Sequence, residues 1–135
     1  MPDETLLPVG SDVDIVTVRQ KGRELAGKAG FSEGDQTVIA AAISEIARNI
    51  VMYAKRGEVS LTLVNHDDRI GLVVVARDQG PGISDIPRAL QDGYSTSGGL
   101  GLGLPGARRL MDEFDIPSRT GQGTTITMKK WRRVG

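Results

Sequence analysis

Residues 70–82 read IGLVVVARDQGPG, and this stretch decides the fold of the 135-residue chain. The nearly continuous apolar run that ends at Arg77 is typical of a central β-strand. Gly80 and Gly82 then favour a tight turn, because glycine tolerates backbone conformations and close approaches that a side chain would prevent. Asp78 is predicted to lie where the strand meets this turn, where its carboxylate can accept a hydrogen bond from a ligand's amino group. Taken alone, the segment also fits an ordinary turn at the end of a strand.

The pattern on either side of this strand predicts an α+β fold, a two-layer sandwich with helices on one face of a mixed, mostly antiparallel sheet. Alternating apolar residues at 58–65 indicate a strand that forms a hairpin with residues 70–77 through a turn at 66–68. The first predicted elements are a strand at 4–9, a helix at 12–29 that stops at Gly30, and a helix that Ser32 begins and that runs to residue 55 before Gly57. They are followed by strands at 58–65 and 70–77, a helix that opens at glycines 98–103 and ends near Phe114, and strands at 115–119 and 124–131.

The length predicts one domain over residues 1–135, because a chain of this size leaves little room for a second core. The acidic N-terminus does not resemble a signal peptide, so a cytoplasmic protein is expected. Apolar residues make up 39% of the chain and aromatic residues 4%, so the core is predicted to consist of Leu, Ile, Val and Ala. Seventeen basic residues balance seventeen acidic ones, which argues against bulk binding to nucleic acid or to an anionic membrane. The lack of cysteine excludes disulfides and thiolate metal sites. No apolar run approaches the ~20 residues of a membrane span.

The segment SEIARNI, residues 44–50, places Glu45 and Asn49 one turn apart on the same face of the second helix. A carboxylate can act as a base, and an amide oxygen can bind a hard metal ion. Mg²⁺ is usually held by only one or two protein oxygens together with phosphates and water, so a single Asn would suffice. The alternative interpretation is a solvent-facing pair on the edge of a helix.

Two glycine-containing segments follow the central strand. The cluster at 98–103 precedes a helix, and the backbone N–H groups at such a helix start suit an anion such as a triphosphate. It superficially matches a dinucleotide-binding fingerprint, but no ordinary strand leads into it. The segment GQGTT at 121–125 is, by itself, typical of a hairpin turn. Residues 22–29, GRELAGKA, nearly spell a phosphate-binding P-loop, but Ala29 lacks the required hydroxyl and the segment lies within a predicted helix.

The order of these segments resembles the four ATP-binding motifs of the gyrase/chaperone/histidine-kinase/MutL superfamily. E-x-x-x-N on a helix is followed by D-x-G-x-G after a strand, a polar loop, G-x-G-x-G before a helix and G-x-G-T before a strand, over residues 36–128. Each motif is weak alone, whereas four in this order are specific. The resemblance implies the Bergerat ATP-binding fold, with ATP and Mg²⁺ as cofactors. Within the superfamily, SEIARNI (44–50) and GGLGLGLPGARRLMDEFDI (98–116) are most similar to the serine/threonine kinases of the anti-sigma-factor group, of the RsbT stressosome type.

The resemblance implies a role for each matched residue. Glu45 would be the general base that helps to deprotonate the substrate hydroxyl, and Asn49 would coordinate Mg²⁺. Asp78 would accept a hydrogen bond from the adenine amino group, and Thr124 would support Asp78 or a bridging water. Residues 84–97 would form the ATP lid. The glycines would shape the turn beside the base or present amides to the phosphates, and these are Gly80, Gly82, Gly99, Gly101 and Gly103.

The resemblance further implies an ATP-dependent protein kinase that phosphorylates Ser or Thr on a STAS-domain antagonist in bacterial stress signalling by partner switching. The alternative is an ATP-binding module that activates a PP2C-type phosphatase without essential catalysis, although retention of Glu45 favours catalysis. A bare histidine-kinase catalytic domain would need its acceptor histidine on another chain, because His66 is predicted in a hairpin turn. A homodimer is compatible with the sequence, and neither nucleic acid nor a membrane is expected as a partner. The candidates for a cationic contact to the γ-phosphate are Arg48, Arg108 and Arg109.

Overall fold

The computed structural model of the chain describes residues 4–54, 56–78, 103–116 and 124–134. Within them the chain forms an α+β fold, as predicted. The elements, in order, are β1 (Glu4–Val9), α1 (Asp12–Lys28), α2 (Glu33–Tyr53), β2 (Gly57–His66), β3 (Arg69–Asp78), α3 (Gly103–Leu110), β4 (Glu113–Asp115) and β5 (Thr124–Arg133).

The strands form a five-stranded sheet in the order β1-β2-β3-β5-β4, and each of its described pairings is antiparallel. The apolar run at residues 70–77 lies in β3, which pairs with β2 on one side and β5 on the other. Asp67 and Asp68 form the two-residue turn of the β2–β3 hairpin. Asp67 adopts a φ of 56°, a left-handed conformation that Asp tolerates better than most residues. The prediction of β3 as a central strand is confirmed.

Both long helices begin directly after or beside the serines predicted to cap them, and α1 ends before Gly30. Helix α2 ends at Tyr53, and Gly57, its predicted stop, is instead the first residue of β2, where it pairs with Asp78. Ser32 precedes α2, and its Oγ accepts a hydrogen bond from the backbone N–H of Asp35 at 3.1 Å, which satisfies one of the free amides of the first turn. Ser11 occupies the corresponding position before α1. Gly30 follows α1 with a φ of +86°, a conformation that glycine adopts without steric cost, and it turns the chain towards α2.

Helix α2 is the central helix of the fold. It packs on the sheet, and both α1 and α3 pack against it. Every residue from Ala42 to Ala47 is therefore buried, although an amphipathic helix on a protein surface would keep one face exposed. One face of the sheet completes this core, through the buried side chains of Val59, Leu61, Leu72, Val74, Ala76, Ile126 and Met128.

The region after α3 differs from the prediction. The helix ends at Leu110 rather than near Phe114, and the next strand is Glu113–Asp115, which begins earlier than the predicted 115–119. Residues 117–119 of that prediction lie outside the described residues. The cause of both differences is pairing with β5: the backbone N–H of Asp112 donates to the carbonyl of Lys129 at 2.9 Å, and the Asp112 carboxylate accepts from the backbone N–H of Trp131 at 2.8 Å. These contacts draw the chain into the sheet before the helix can complete another turn.

Trp131 lies on the face of the sheet that is turned away from the helices. Its ring packs over Gly71, and the guanidinium carbon of Arg69 lies 4.6 Å from the ring centroid, which is a cation–π contact. The indole N–H donates to the carboxylate of Glu113, and the ring of His66 meets it edge-on. The basic residues at 129–133 are part of strand β5.

Candidate functional site

The predicted pair Glu45 and Asn49 lies on α2 at the centre of the fold. Glu45 is buried, with 6% of its surface exposed, and Asn49 one turn later is half-buried. The solvent-facing alternative is therefore wrong for Glu45. The Glu45 carboxylate is paired with its own helix: Nη1 of Arg48 lies 3.4 Å from its Oε1. Because burying an unpaired carboxylate is costly, a buried glutamate with a cation beside it is a group that the fold specifically accommodates.

Asp78 is the last residue of β3 and is also buried, with 8% of its surface exposed. It stands between Gly57 on β2 and Thr124 on β5, its cross-strand neighbours on the two sides. Thr124, the predicted support of Asp78, is therefore placed beside it in the sheet by register. The prediction that Asp78 lies where a buried strand ends is confirmed.

Gly57 lies where α2 approaches the end of β3, and its role in the site is not predicted by the sequence motifs. A Cβ at this position would collide with the backbone carbonyl oxygen of Arg77, and it would lie 3.0 Å from Cβ of Asp78 and 3.1 Å from Cγ2 of Ile50. Ile50 directly follows Asn49 on α2. Only a residue without a side chain allows the second half of α2 to lie this close to the end of β3, so Gly57 sets the approach of the two site elements. The signal available in the sequence was a glycine at the start of a strand.

The glycine motifs are described only in part. Gly103 is the first residue of α3, which agrees with the prediction that the cluster opens a helix, and α3 packs against α2. The other predicted site glycines and the predicted ATP lid at 84–97 lie outside the described residues, and so does the turn at 121–123. These glycines are Gly80, Gly82, Gly99 and Gly101.

The three arginine candidates for a contact to the γ-phosphate differ in their exposure to solvent. Arg108 and Arg109 are exposed on α3, whereas Arg48 is partly buried beside Glu45. The near-match to a P-loop at 22–29 lies largely within α1, and Gly22 is buried where it faces Ile43 of α2, so the rejection of that motif is confirmed. His66 is the last residue of β2, is largely exposed and lies 3.6 Å from the carboxylate of Asp67.

The donor set fits Mg²⁺ only with help from a bound phosphate. Among the described residues there is no group of three or more His, Cys, Asp or Glu that could hold a metal ion by itself. A single amide oxygen, such as that of Asn49, is enough for a magnesium ion when most of its ligands are water and phosphate oxygens. No helix within the described ranges is long and apolar enough to cross a membrane.

Comparison with protein families gives one match over most of the chain. Residues 11–130 match the model of the "Histidine kinase-like ATPase domain" family. This range contains Glu45, Asn49, Asp78 and Thr124 together.

Two curated relatives are similar to the chain over the whole or most of their length. The serine/threonine-protein kinase RsbT of Bacillus subtilis is 49% identical over 133 residues, which cover 98% of this chain and 100% of RsbT. The anti-sigma F factor of Geobacillus stearothermophilus is 33% identical over 101 residues, which cover 70% of this chain and 68% of the factor.

Solved structures share the fold. The RsbU and RsbW domains of a Mycobacterium tuberculosis protein align with a TM-score of 0.64 and 24% identity, over 99% of this chain and 34% of that one. The catalytic domain of the histidine kinase ThkA aligns with a TM-score of 0.53 and 16% identity, over 93% of this chain and 95% of that domain. At these identities the likeness concerns the fold.

Proposed function

The chain belongs to the histidine kinase-like ATPase domain family and, within it, to the serine/threonine protein kinases that are similar to RsbT, and from this premise we propose how it acts. It binds ATP and transfers the γ-phosphoryl group to a Ser or Thr hydroxyl on a STAS-domain antagonist protein. The observation that supports this proposal most directly is the burial of two carboxylates. Among the described residues, Glu45 and Asp78 are the only charged side chains in the buried set, and both stand at positions of the ATP-binding motifs.

Glu45 acts as the general base. Its carboxylate takes the proton of the substrate hydroxyl while the hydroxyl oxygen forms a bond to the γ-phosphorus. The bond between that phosphorus and the bridging oxygen breaks, and ADP leaves with the electron pair. A positioned base contributes ~10²- to 10⁴-fold to such a reaction, whereas most of the remaining catalysis comes from alignment and charge neutralisation.

Asp78 binds the adenine ring. Its carboxylate accepts a hydrogen bond from the exocyclic amino group, and Thr124 on the neighbouring strand supports it directly or through a water. Gly80 and Gly82 allow the backbone to pass close to the base, while Gly99, Gly101 and Gly103 direct amides at the phosphates near the start of α3. Gly57 supports this arrangement because it sets the distance between Asp78 and α2.

Asn49 is the proposed magnesium ligand, through its side-chain oxygen. When bound, the ion neutralises charge on the phosphate oxygens. Asn49 suits this role because it lies one turn after Glu45 on α2 and retains partial exposure, so both a base and a ligand face the same substrate. The site thus needs one protein oxygen for the metal and one for the proton.

Partner phosphorylation is the direct test. The protein would be incubated with Mg·ATP and a STAS-domain protein beside a Glu45→Ala variant, and the partner would be followed by intact mass. The expected result is a gain of one phosphate on Ser or Thr, which the variant does not produce although it still binds nucleotide.

Two other outcomes would contradict parts of the proposal. No transfer despite tight binding of nucleotide and partner would favour the alternative function, an ATP-dependent module that activates a PP2C-type phosphatase. Full transfer by the Glu45→Ala variant would leave the kinase in place and remove Glu45 as its base.

A further inference from the structure

Arg48 lies between the two functional residues of α2 in sequence, and its side chain contacts Glu45. It is the residue before Asn49 and lies three positions after Glu45, which places its guanidinium on the same side of the helix as the Glu45 carboxylate. We propose that Arg48 is a positioning residue for phosphotransfer, which acts through Glu45 by fixing the rotamer in which that carboxylate meets the substrate hydroxyl. The inference rests on the proposed function, in which Glu45 is the base.

The difference in burial between the two side chains supports a role for Arg48 in orienting Glu45. Glu45 has 6% of its side chain exposed and Arg48 has 32%, so the carboxylate is held inside while the guanidinium reaches it from the protein surface. Glutamate has several rotamers to lose on burial, and a cation at a fixed point selects among them. The planar guanidinium is suited to this because its N–H groups have a fixed geometry.

The length of the contact leaves Glu45 able to act as a base. Strong charge-assisted bonds between a guanidinium and a carboxylate measure roughly 2.7–2.9 Å. The separation of 3.4 Å between Nη1 and Oε1 is longer than this, so the contact orients the carboxylate but is weaker than a strong charge-assisted bond. A tight bidentate pair would instead compete with the substrate hydroxyl for the same oxygens.

A direct contact between Arg48 and the phosphates is the competing role, and the two make opposite predictions. A phosphate ligand would contribute to ATP binding and would act whether or not Glu45 is present. A positioning residue for Glu45 would change turnover rather than nucleotide affinity, and it would have no effect once Glu45 is removed.

A double-mutant cycle separates these roles. Transfer to the STAS-domain partner would be measured for wild type, Glu45→Ala, Arg48→Gln and the double variant, with Arg48→Lys as the conservative change and Arg23→Gln, an exposed arginine on α1, as the matched control. We expect Arg48→Gln to lower kcat about ten-fold or more, a part of the ~10²- to 10⁴-fold that a positioned base contributes. The KM for ATP should stay near the wild-type value, Arg48→Lys should recover part of the loss, and the double variant should be no slower than Glu45→Ala.

A second measurement does not depend on activity. In the protein labelled with ¹⁵N and free of nucleotide, the side-chain Nε–H resonance of Arg48 should move when Glu45 is changed to Ala and stay in place when the exposed Glu24 is changed to Gln. An arginine that is not held by Glu45 would give the same resonance in all three proteins.

The results distinguish failure of the inference from failure of the proposed function. A raised KM for ATP, or an equal loss in the Glu45→Ala background, would overturn the positioning role and assign Arg48 to the nucleotide. An unmoved Arg48 resonance in an active enzyme would also overturn it. Wild-type protein that transfers no phosphate to any STAS-domain partner would overturn the proposed function itself, and with it the role of Arg48 in transfer.

Discussion

Helices α1 and α2 carry the same local pairing of a glutamate with a basic residue three positions away, in very different surroundings. On α1, Oε1 of Glu24 lies 3.5 Å from Lys21 Nζ and 3.3 Å from Lys28 Nζ, and Glu24 and Lys28 are exposed while Lys21 is partly exposed. On α2, Oε1 of Glu45 lies 3.4 Å from Arg48 Nη1, and the carboxylate is buried. The separation of the charged atoms is therefore nearly the same on the two helices, whereas the burial of the glutamate differs.

The exposed contacts on α1 lower the pKa of Glu24 but contribute little to stability. The hydrogen bond from Lys28 and the charge of Lys21 hold the pKa of Glu24 below its ordinary value of 4.5, but water and salt screen such pairs. The pair on α2 is screened less, because its carboxylate is buried, and this carboxylate belongs to the predicted ATP-binding motif. Sequence spacing alone thus predicts that a pair forms, whereas packing of the neighbouring helices determines whether it can serve catalysis.

The largest expected effect is a loss of phosphotransfer when the buried Glu45 is changed. Glu45→Gln keeps the size and burial of the side chain but removes the base, so we expect kcat for phosphotransfer to fall by ~10²- to 10⁴-fold. Glu24→Gln, the matched change on α1, should leave kcat unchanged. Steady-state phosphorylation of the STAS-domain partner measures both, and equal effects of the two changes would show that burial of Glu45 is irrelevant to the reaction.

The next effect concerns Gly57, where α2 meets the end of β3. Gly57→Ala places a methyl group against the backbone oxygen of Arg77, which cannot move without shifting the strand, so we expect a loss of ~1–3 kcal/mol in the free energy of unfolding. Affinity for ATP should fall further than affinity for inosine triphosphate, which lacks the amino group that Asp78 would bind. Urea unfolding and nucleotide titration test the two parts, and an unchanged preference for ATP would limit Gly57 to a structural role.

A smaller effect is expected at Gly22, the corresponding close approach between α1 and α2. Here an added methyl group meets Cδ1 of Ile43, the end of a flexible side chain. Alanine gains up to ~1 kcal/mol in helix propensity over glycine, which offsets part of the packing cost. Gly22→Ala should therefore change the free energy of unfolding less than Gly57→Ala and leave the nucleotide preference intact. A loss of ATP selectivity would show that α1 also positions the site.

The smallest effect is the pH dependence of the exposed pair. Because folding lowers the pKa of Glu24, its contribution to stability is present above the ordinary value of 4.5 and is lost as the pH falls through the lower folded value. Glu24→Gln should thus slightly lower the urea midpoint at neutral pH, with the difference disappearing in acid and diminishing in high salt. A midpoint difference that grows below pH 4 would contradict this sign.

Strong local patterns made most of the fold predictable. The apolar run of β3, the Ser32 cap of α2 and the stop at Gly30 all act through neighbours in sequence. Strand β3, the start of α2 and the end of α1 therefore lie within one residue of their predicted positions. The end of α3 was not predictable in this way. It depends on hydrogen bonds between Asp112 and two residues of β5, Lys129 and Trp131, and such non-local pairing overrides helix propensity.

In the candidate site, too, local sequence patterns predict some features, whereas others depend on contacts that form only in the folded chain. Asp78 was placed at the end of a buried strand because the apolar run and the following glycines are adjacent in sequence. The burial of Glu45 was left open, since it arises only when α1 and α3 both pack against α2. The part of Gly57 was missed for a similar reason, because the groups it accommodates, Ile50 and Arg77, lie on either side of it in sequence and meet only in the folded chain.

Trp131 is the only tryptophan in the chain, and its ring is fixed on the outer face of the sheet by Arg69, Gly71 and Glu113. The protein therefore contains a natural fluorophore on β5, the strand that also begins with Thr124 beside Asp78. Its emission reports the integrity of the sheet from the side opposite to the helices. Excitation at the red edge of the indole band can thus follow unfolding in each variant without any added label, since the two tyrosines contribute little there.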